Sequence, residues 1–462
     1  MVNETQQRRF DIVGSLPLEL TIQVIRYLDC TDIIRSQRVS KQWHALLSSE
    51  AILKQSLREK LTSLGLDLKG TNVPIDNANR YFQWHHRIQY GRPIKKIFLP
   101  WTAESTLSPV TARGITYHSR RLCYFIRSDQ DIYILNLETG ERSTYSRGYG
   151  NIWTMIKGTA LSDRYLVEVA AQPLGQLYST VATVWDMQTS QRLINRLPDY
   201  PRLSSFVKDK VVISCGHGGV DCSVYIWDLT SNLIQKVEGR FSDPSMLHIA
   251  PDEDVLVVFE VNWKMATPLV WQSKWSLTTG KLLEEKQFCL PLEGRFHISP
   301  HKRTIFRALF FDSTFSYRTV SWHALARSNG KQADLHLIYD YTADELRARW
   351  IECAGLHREP YNFNRPAILT PNFTYYFALN IKQPAVYNVP SSTTTLLPDK
   401  LDTRVVAGSE SLQGRFAPFF HSFGDQEVFG LAGEGGVQLW FFNPNFVPDL
   451  LDGKLLRLGN NH

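Results

Sequence analysis

The sequence is poor in cysteine, and the few cysteines it has are far apart. Six occur in 462 residues, at Cys30, Cys123, Cys215, Cys222, Cys289 and Cys353, and no two form a Cys-x-x-Cys pair. Zinc ligands usually come in closely spaced pairs, so this spacing predicts no zinc site. Reduced, mostly buried thiols are typical of the cytoplasm and nucleus, where we expect the protein to act.

Catalytic and membrane-spanning patterns are also missing. We find no Gly-x-Ser-x-Gly, His-Glu-x-x-His or glycine-rich phosphate loop, and the pair Glu284-Glu285 is typical of a solvated strand or turn. The longest apolar runs, such as Val255–Phe259, are far shorter than the ~20 residues of a membrane helix. The N-terminal residues lack the apolar core of a signal peptide. We therefore expect no enzyme activity, cofactor, metal or membrane partner.

Charge of one sign is not strongly in excess. The chain has 51 Lys and Arg against 45 Asp and Glu, a net charge of +6, without a basic arm or an acidic tail. Nucleic acid is therefore not an expected partner. Aromatic residues make up 12% of the chain, with 12 Trp and 19 Tyr, which favours a β-rich fold. The length predicts one large domain or two unequal ones.

The first fifty residues predict three short helices. Ser15 is a suitable N-cap and Pro17 suits a first helical turn. Apolar residues then recur at helical spacing, at Leu16, Leu20, Val24 and Leu28. Three helices of this length bury too little apolar surface to form a stable domain alone, so we expect an apolar face that a partner covers.

These residues resemble the F-box family over about residues 13–56. The resemblance rests on Leu-Pro-x-Glu-Leu from Leu16, Ile-x-Tyr-Leu-Asp ending at Asp29, and Val-Ser-Lys-x-Trp from Val39. It implies docking on a Skp-family adaptor, which bridges to a cullin scaffold in a ubiquitin ligase. Carried over by position, the adaptor-facing or domain-core residues are Leu16, Pro17, Leu20, Ile22, Ile25, Leu28, Val39 and Trp43. Each of them either contacts the adaptor or packs the three helices together.

The chain after the F-box predicts a helical connector. Helical spacing recurs over residues 49–64 and again over Asp76–Tyr90, which ends at Gly91-Arg92-Pro93. His85 and His86 are adjacent and point about 100° apart, so they do not share a metal. We expect a stiff spacer that packs on the next domain. The predicted domains are a flexible N-terminus (1–12), the F-box (13–56), the linker (57–92), a β-domain (93–445) and a C-terminal tail (446–462).

The β-domain contains a recurring pattern in which an apolar strand ends near Trp-Asp or a relative and a turn follows. It occurs seven times, beginning at Asp131, Ala182, Ser223, Val270, Leu335, Pro384 and Val437. The pattern resembles a WD-repeat β-propeller, although only Trp185-Asp186 and Trp227-Asp228 keep the signature dipeptide. Seven blades are favoured, with six or eight as alternatives. Residues Ile94–Leu99 would supply the outer strand of the last blade and so close the ring.

One arginine occurs in each loop that would lead into an innermost strand of the propeller. These are Arg113, Arg147, Arg202, Arg240, Arg295, Arg365 and Arg415, three of them in Gly-Arg-Phe. Arginine binds carboxylate and phosphate with two parallel donors, and several converging arginines focus a positive potential. This set predicts a binding site for an acidic or phosphorylated protein substrate. The alternative is structural, with each arginine stacked on an aromatic ring or paired with a buried acid.

The leading functional hypothesis is therefore a non-catalytic substrate receptor of a Skp–cullin–F-box ubiquitin ligase. Such a receptor acts by proximity, since it holds the substrate beside the charged ubiquitin-conjugating enzyme. The alternative is an adaptor-bound or free-standing propeller scaffold with no role in ubiquitination. The sequence does not separate these two hypotheses.

Overall fold

A computed structural model describes two regions of different architecture, a helical region and a β-domain. The described residues are 15–28, 30–55, 78–101, 115–126, 131–147, 155–175, 177–216, 222–241, 244–249, 254–262, 269–289, 319–328, 331–340, 345–352, 367–369, 375–379, 384–388, 393–397, 421–425, 427–433, 435–443 and 446. Within them, no helix is both long enough and apolar enough to cross a bilayer.

The helical region contains the three short helices that the sequence predicts. They are α1 (Leu18–Arg26), α2 (Cys30–Ser36) and α3 (Lys41–Leu47), followed by helical residues 50–55 and by α4 (Ala78–Gln89). Helix α1 begins later than a cap at Ser15 predicts, because Pro17 has an extended ψ of 149° and itself occupies the N-cap position. Helix α3 begins where Ser40 Oγ accepts the backbone N–H of Trp43 at 3.1 Å.

The β-domain consists of antiparallel strands that pair in chain order. Three sheets of four strands come first: β2–β5 (Thr116–His118, Arg121–Ile126, Asp131–Asn136, Arg142–Ser146), β6–β9 (Met155–Leu161, Tyr165–Leu174, Leu177–Asp186, Arg192–Leu197) and β10–β13 (Pro201–Val207, Lys210–Cys215, Ser223–Asp228, Leu233–Lys236). The next are β14–β17 (Pro244–Ile249, Val255–Asn262, Leu269–Ser276, Leu282–Cys289), β18–β20 (Thr319–Ser328, Lys331–Asp340, Glu345–Glu352) and β21–β24 (Ala367–Leu369, Tyr375–Leu379, Pro384–Asn388, Thr393–Leu396). The last sheet joins β25–β27 (His421–Gly424, Val428–Ala432, Gly436–Phe441) to β1 (Lys95–Pro100).

The first strands of six of these sheets lie next to one another in one continuous series. Strand β2 contacts β6 and β25, β10 contacts β6 and β14, and β21 contacts β25. The described residues thus form seven sheets, each with one of the seven repeat segments on a strand. This radial arrangement of sequential sheets is that of a β-propeller.

The ring closes through strands from the two ends of the β-domain, as the sequence predicts. Strand β1 pairs antiparallel with β27, with Ile97 opposite Leu439 and Pro100 opposite Gly436. Trp101 follows directly, fully buried in a core that also contains Leu439 and Phe441. The closure removes an open sheet edge and joins residues far apart in the chain.

The aspartate of the Trp-Asp pattern has a local structural role. Asp186 Oδ1 accepts the backbone N–H groups of Gln188 and Thr189 at 2.9 and 3.2 Å, which fixes the turn into the outer strand. The fifth residue of this turn, Ser190, has a φ of +59°. Equivalent turns start at Asn136, Asp228 and Ser276 and place Gly140, Asn232 and Gly280 at positive φ. The same turn therefore forms where the Trp-Asp dipeptide is absent, because the side chain of Asn or Ser can accept the backbone N–H groups in place of Asp.

Candidate functional site

Helix α1 has two apolar faces, and only one of them is buried. Ile25 is fully buried in the core, and Thr21, one turn before it, is also buried. On the other face, Leu20, Val24 and Tyr27 are spaced at i, i+4 and i+7 and are 45%, 39% and 89% exposed. A helix with apolar residues on its solvent side fits a partner groove through such positions.

The residues carried over from the F-box divide between exposed positions and the core. Pro17, Leu20 and Val39 are exposed, and Leu16 is half-buried. Ile22, Leu28 and Trp43 are partly buried and pack against the core that contains Ile25. The sequence did not assign Leu18, Val24 and Tyr27 to the adaptor set, although all three are exposed apolar residues of α1 or its C-cap.

The F-box region, the linker helix and the propeller share one hydrophobic core. It joins Ile33 and Leu47 of the short helices to Trp84 and Ile88 of α4. On the propeller side it contains Val386, Leu397, Phe429, Leu431, Trp440 and Phe442. The linker therefore packs on the propeller, as expected for a stiff spacer, and fixes the F-box region relative to the last two sheets.

The end of α4 is held against the propeller by a tight turn. The N–H of Arg92 donates to Arg87 O at 2.8 Å and the N–H of Gly91 to Ile88 O at 2.9 Å, the two bonds of a Schellman motif. Gly91 has a φ of +58°, and a Cβ there would lie 3.1 Å from the carbonyl oxygen of Leu396. The glycine that ends the predicted helix therefore also permits close approach to β24.

Three members of the arginine set, Arg147, Arg202 and Arg240, are among the described residues and lie in a loop before an innermost strand or at the start of one. We call the side of the propeller at which the chain enters the innermost strands the upper face. Arg147, between β5 and β6, is buried, and its Nε and Nη2 donate to the two oxygens of Glu168. Its Cζ lies 4.8 Å from the ring centre of Phe125. Burial raises the pKa of Glu168, and the Arg147 guanidinium opposes this shift. The geometry at Arg147 is that of the structural alternative, so we leave this residue out of the proposed substrate site.

Arg240 occupies a different environment, on the solvent side of a firmly anchored loop. Phe241 is fully buried and lies edge-on to Trp275, with ring centres 5.4 Å apart. A Cβ at Gly239 would lie 2.6 Å from the Trp275 ring, so only glycine fits there. Gly-Arg-Phe therefore fixes the loop on both sides of an exposed arginine.

Arg202 lies within β10 and not in the loop that the sequence predicts. The pairing of β10 with β11 shifts register between Pro201 and Leu203, so Arg202 is the extra residue of a β-bulge. The same shift surrounds Lys157 in β6 and Ser245 in β14. Bulges bend a strand and redirect a side chain, and they are common beside binding sites. Three neighbouring innermost strands thus share one irregularity near the upper face.

The remaining predicted arginines, Arg113, Arg295, Arg365 and Arg415, lie outside the described residues. The described part of the upper face includes an apolar feature that the sequence analysis missed. Strands β7 and β8 extend past the start of β6, and their tip carries exposed Leu174 and Tyr178. Tyr178 lies edge-on to Tyr200 at 5.5 Å. Gly175 has a φ of +61° in this tip. In the sequence, a glycine at this position indicates no more than a turn.

Comparisons with known proteins agree with this division of the chain. Residues 13–59 match the F-box-like family. The N-terminal domain is F-box-like. An F-box protein of Arabidopsis thaliana is 26% identical over 133 residues, which are 28% of this chain and 41% of that protein. The match thus spans about two-fifths of the relative's length.

Solved structures resembling the chain are β-rich and distant in sequence. A chain of a mitotic checkpoint complex matches with a TM-score of 0.42 and 10% identity, over 77% of this chain and 92% of that one. Hydrazine synthase of Kuenenia stuttgartiensis gives 0.47 and 11%, over 73% and 97%. The WD40 domain of SCAP from fission yeast gives 0.36 and 12%, over 71% and 83%. All three TM-scores are below 0.5, so the strand pairing, and not these likenesses, defines the fold.

Proposed function

We propose that this chain is the substrate-recognition subunit of a Skp–cullin–F-box ubiquitin ligase. Its F-box-like domain binds a Skp-family adaptor, which links it to the cullin scaffold, and its propeller binds a protein substrate. The observation that carries this proposal is the exposed apolar face of α1, formed by Leu20, Val24 and Tyr27. A partner that covers this face removes apolar surface from water, at about 25 cal/mol per Å².

A rigid connection between the two binding regions supports the receptor role. The core shared by the F-box region, α4 and the propeller sets a fixed distance between adaptor and substrate. A ligase receptor contributes to catalysis by holding two reactants on one frame, without chemistry of its own. A hinge at the linker would lose part of this effect.

The upper face supplies the substrate site of this proposal. Arg240 is exposed there, Arg202 and Lys157 occupy bulges of neighbouring strands, and the β7–β8 tip adds Leu174 and Tyr178. An exposed arginine and an apolar projection on one face of the propeller suit a peptide that carries both acidic or phosphorylated residues and an apolar one. We place this activity in the cytoplasm or nucleus, which the buried free thiols Cys123, Cys215 and Cys222 support.

Isothermal titration of the full chain with a purified Skp-family adaptor tests the proposal. Leu20→Asp with Val24→Asp should weaken binding at least 100-fold, because each places a charge inside the buried interface. Leu233→Asp is the matched control, since Leu233 is a 69% exposed leucine on β13. Unchanged affinity of the double variant, or no binding by the wild type, would overturn the adaptor assignment.

A further inference from the structure

Four arginines lie together where the F-box region meets the linker. Arg35 lies in the last turn of α2 and Arg38 just beyond it, while Arg87 lies in the last turn of α4 and Arg92 just beyond it. The Cζ atoms of Arg35 and Arg92 lie 5.2 and 5.8 Å from the ring centre of Tyr90. We call Arg35, Arg38, Arg87 and Arg92 the junction cluster.

The charges of the junction cluster act on a neighbouring histidine. The ring of His86 lies 4.8 Å from that of Tyr90. The pKa of His86 is lowered, first by burial and then by Arg35, Arg92, Arg38 and Arg87. Positive charge is thus concentrated at a half-buried site between two structural elements.

The junction cluster differs from the other arginines for which the structure gives ion pairs. Arg120 pairs with Glu427, Arg147 with Glu168 and Arg164 with Asp186. Among the described residues, no carboxylate pairs with a guanidinium of the junction cluster at 4.0 Å or less. Arg35, Arg38 and Arg92 are exposed, and Arg87 is half-buried. Like charges held this close repel one another, and a bound anion would relieve that repulsion.

We propose that the junction cluster binds an acidic segment of the adaptor and is a second, electrostatic part of its docking surface. This inference rests on the proposed function. Arg38 is followed directly by Val39, which is 66% exposed and belongs to the residues carried over as adaptor-facing. The cluster therefore includes a direct chain neighbour of one adaptor-facing residue, and its charge selects an acidic occupant. Guanidinium groups supply forked donors that match carboxylates in geometry.

Two charge-reversal pairs test the cluster from its two sides. Arg35→Glu with Arg38→Glu changes the α2 side, and Arg87→Glu with Arg92→Glu changes the linker side. Each pair should weaken adaptor binding about tenfold or more at low salt, mainly by slowing association, and the loss should shrink at high salt. Arg196→Glu with Lys236→Glu changes the net charge equally on exposed outer strands and should have little effect.

A hexaglutamate peptide provides a direct probe. It should compete with the adaptor for the wild type and for the control pair, but not for either junction variant. Wild-type affinity in both junction variants would overturn the acidic-segment proposal while leaving the F-box assignment intact. If the junction variants instead lose thermal stability while the salt dependence of adaptor binding stays the same, the arginines serve to stabilise the C-terminal ends of α2 and α4. That result would also overturn the acidic-segment proposal. If the wild type does not bind the adaptor, both proposals fail.

Discussion

The indole Nε1 of Trp101 donates a hydrogen bond of 2.8 Å to the carbonyl oxygen of Gly433, 332 residues away in the chain. Trp101 follows β1, and Gly433 lies in the turn between β26 and β27. The bond thus lies at the closure of the propeller, where β1 completes the last sheet. The indole is fully buried, so both its hydrogen bond and its packing contribute to stability.

Substitution of Trp101 should destabilise the propeller in two distinguishable steps. Trp101→Phe removes the donor but keeps most of the ring, so the free energy of unfolding should fall by about 1–3 kcal/mol. Trp101→Ala also leaves a cavity and should cost about 3–5 kcal/mol. Urea unfolding of both variants measures the difference. Equal losses, or none, would contradict the role of Trp101 in closure.

The buried pair of Arg147 and Glu168 should respond more strongly to single than to double substitution. Glu168→Gln leaves the guanidinium buried without its counter-charge and should cost about 3–5 kcal/mol. Replacing both with leucine removes the two charges together and should recover much of that loss. A double-mutant cycle of Arg147→Leu, Glu168→Leu and the variant with both substitutions, each unfolded in urea, measures the coupling. Additive losses would show that the two side chains act independently.

Asp425 should make stability depend on pH. Burial, with Glu427 as the second cause, raises the pKa of Asp425 to about 7 from an ordinary 3.8. The native state therefore keeps a proton that the unfolded chain releases, so this residue's contribution falls as pH rises from about 4 to 7. Asp425→Asn keeps an acceptor for the N–H groups of Glu427 and Val428, and it should gain stability relative to wild type across that range.

The quantity to compare is the free energy of unfolding of Asp425→Asn minus that of the wild type at each pH. The wild type alone is not enough, because His118 changes stability with pH in the opposite direction to Asp425. Burial lowers the pKa of His118 from 6.5 to about 4, so its contribution is full above pH 6.5 and is lost as pH falls toward 4. Urea midpoints at several pH values between 4 and 8 give the difference. A difference that stays constant with pH would contradict the role of Asp425.

Reversal of the Gly-Arg-Phe arginines should abolish substrate capture without changing the melting temperature. The variant is Arg240→Glu, Arg295→Glu and Arg415→Glu together. Arg240 is exposed, so its reversal should leave the anchors Gly239 and Phe241 in place. Co-precipitation of cellular proteins beside differential scanning calorimetry measures both effects. A large fall in melting temperature with captured proteins unchanged would favour the structural alternative.

Much of the fold could be predicted because its signals are local. Helical spacing predicts α1–α4. A side chain that can accept a hydrogen bond, followed by a turn, predicts the end of the third strand in a sheet. The closing strand β1 could also be predicted, since a lone strand precedes the first complete repeat. The number of blades stayed open between six, seven and eight in the sequence, because insertions vary the spacing of the repeats.

The candidate sites were less predictable because they depend on which face of an element meets the core. Leu20 and Ile25 are both apolar and share one helix, yet one is half-exposed and the other buried. Arg147 and Arg240 occupy equivalent loops, but only Arg147 meets a buried carboxylate, on a strand of the next sheet. Such partners are set by packing between sheets, which a single sequence does not reveal. The junction cluster was missed because its members lie in two separate helical regions.

The most direct test of the receptor proposal is affinity capture of the full chain from lysate, read by mass spectrometry. The wild type is compared with Leu20→Asp/Val24→Asp and with the control Leu233→Asp. We expect adaptor and cullin with the wild type and the control but not with the double variant, while other captured proteins persist as substrate candidates. Recovery of adaptor and cullin with the double variant, or their absence from the wild type, would contradict the proposed role.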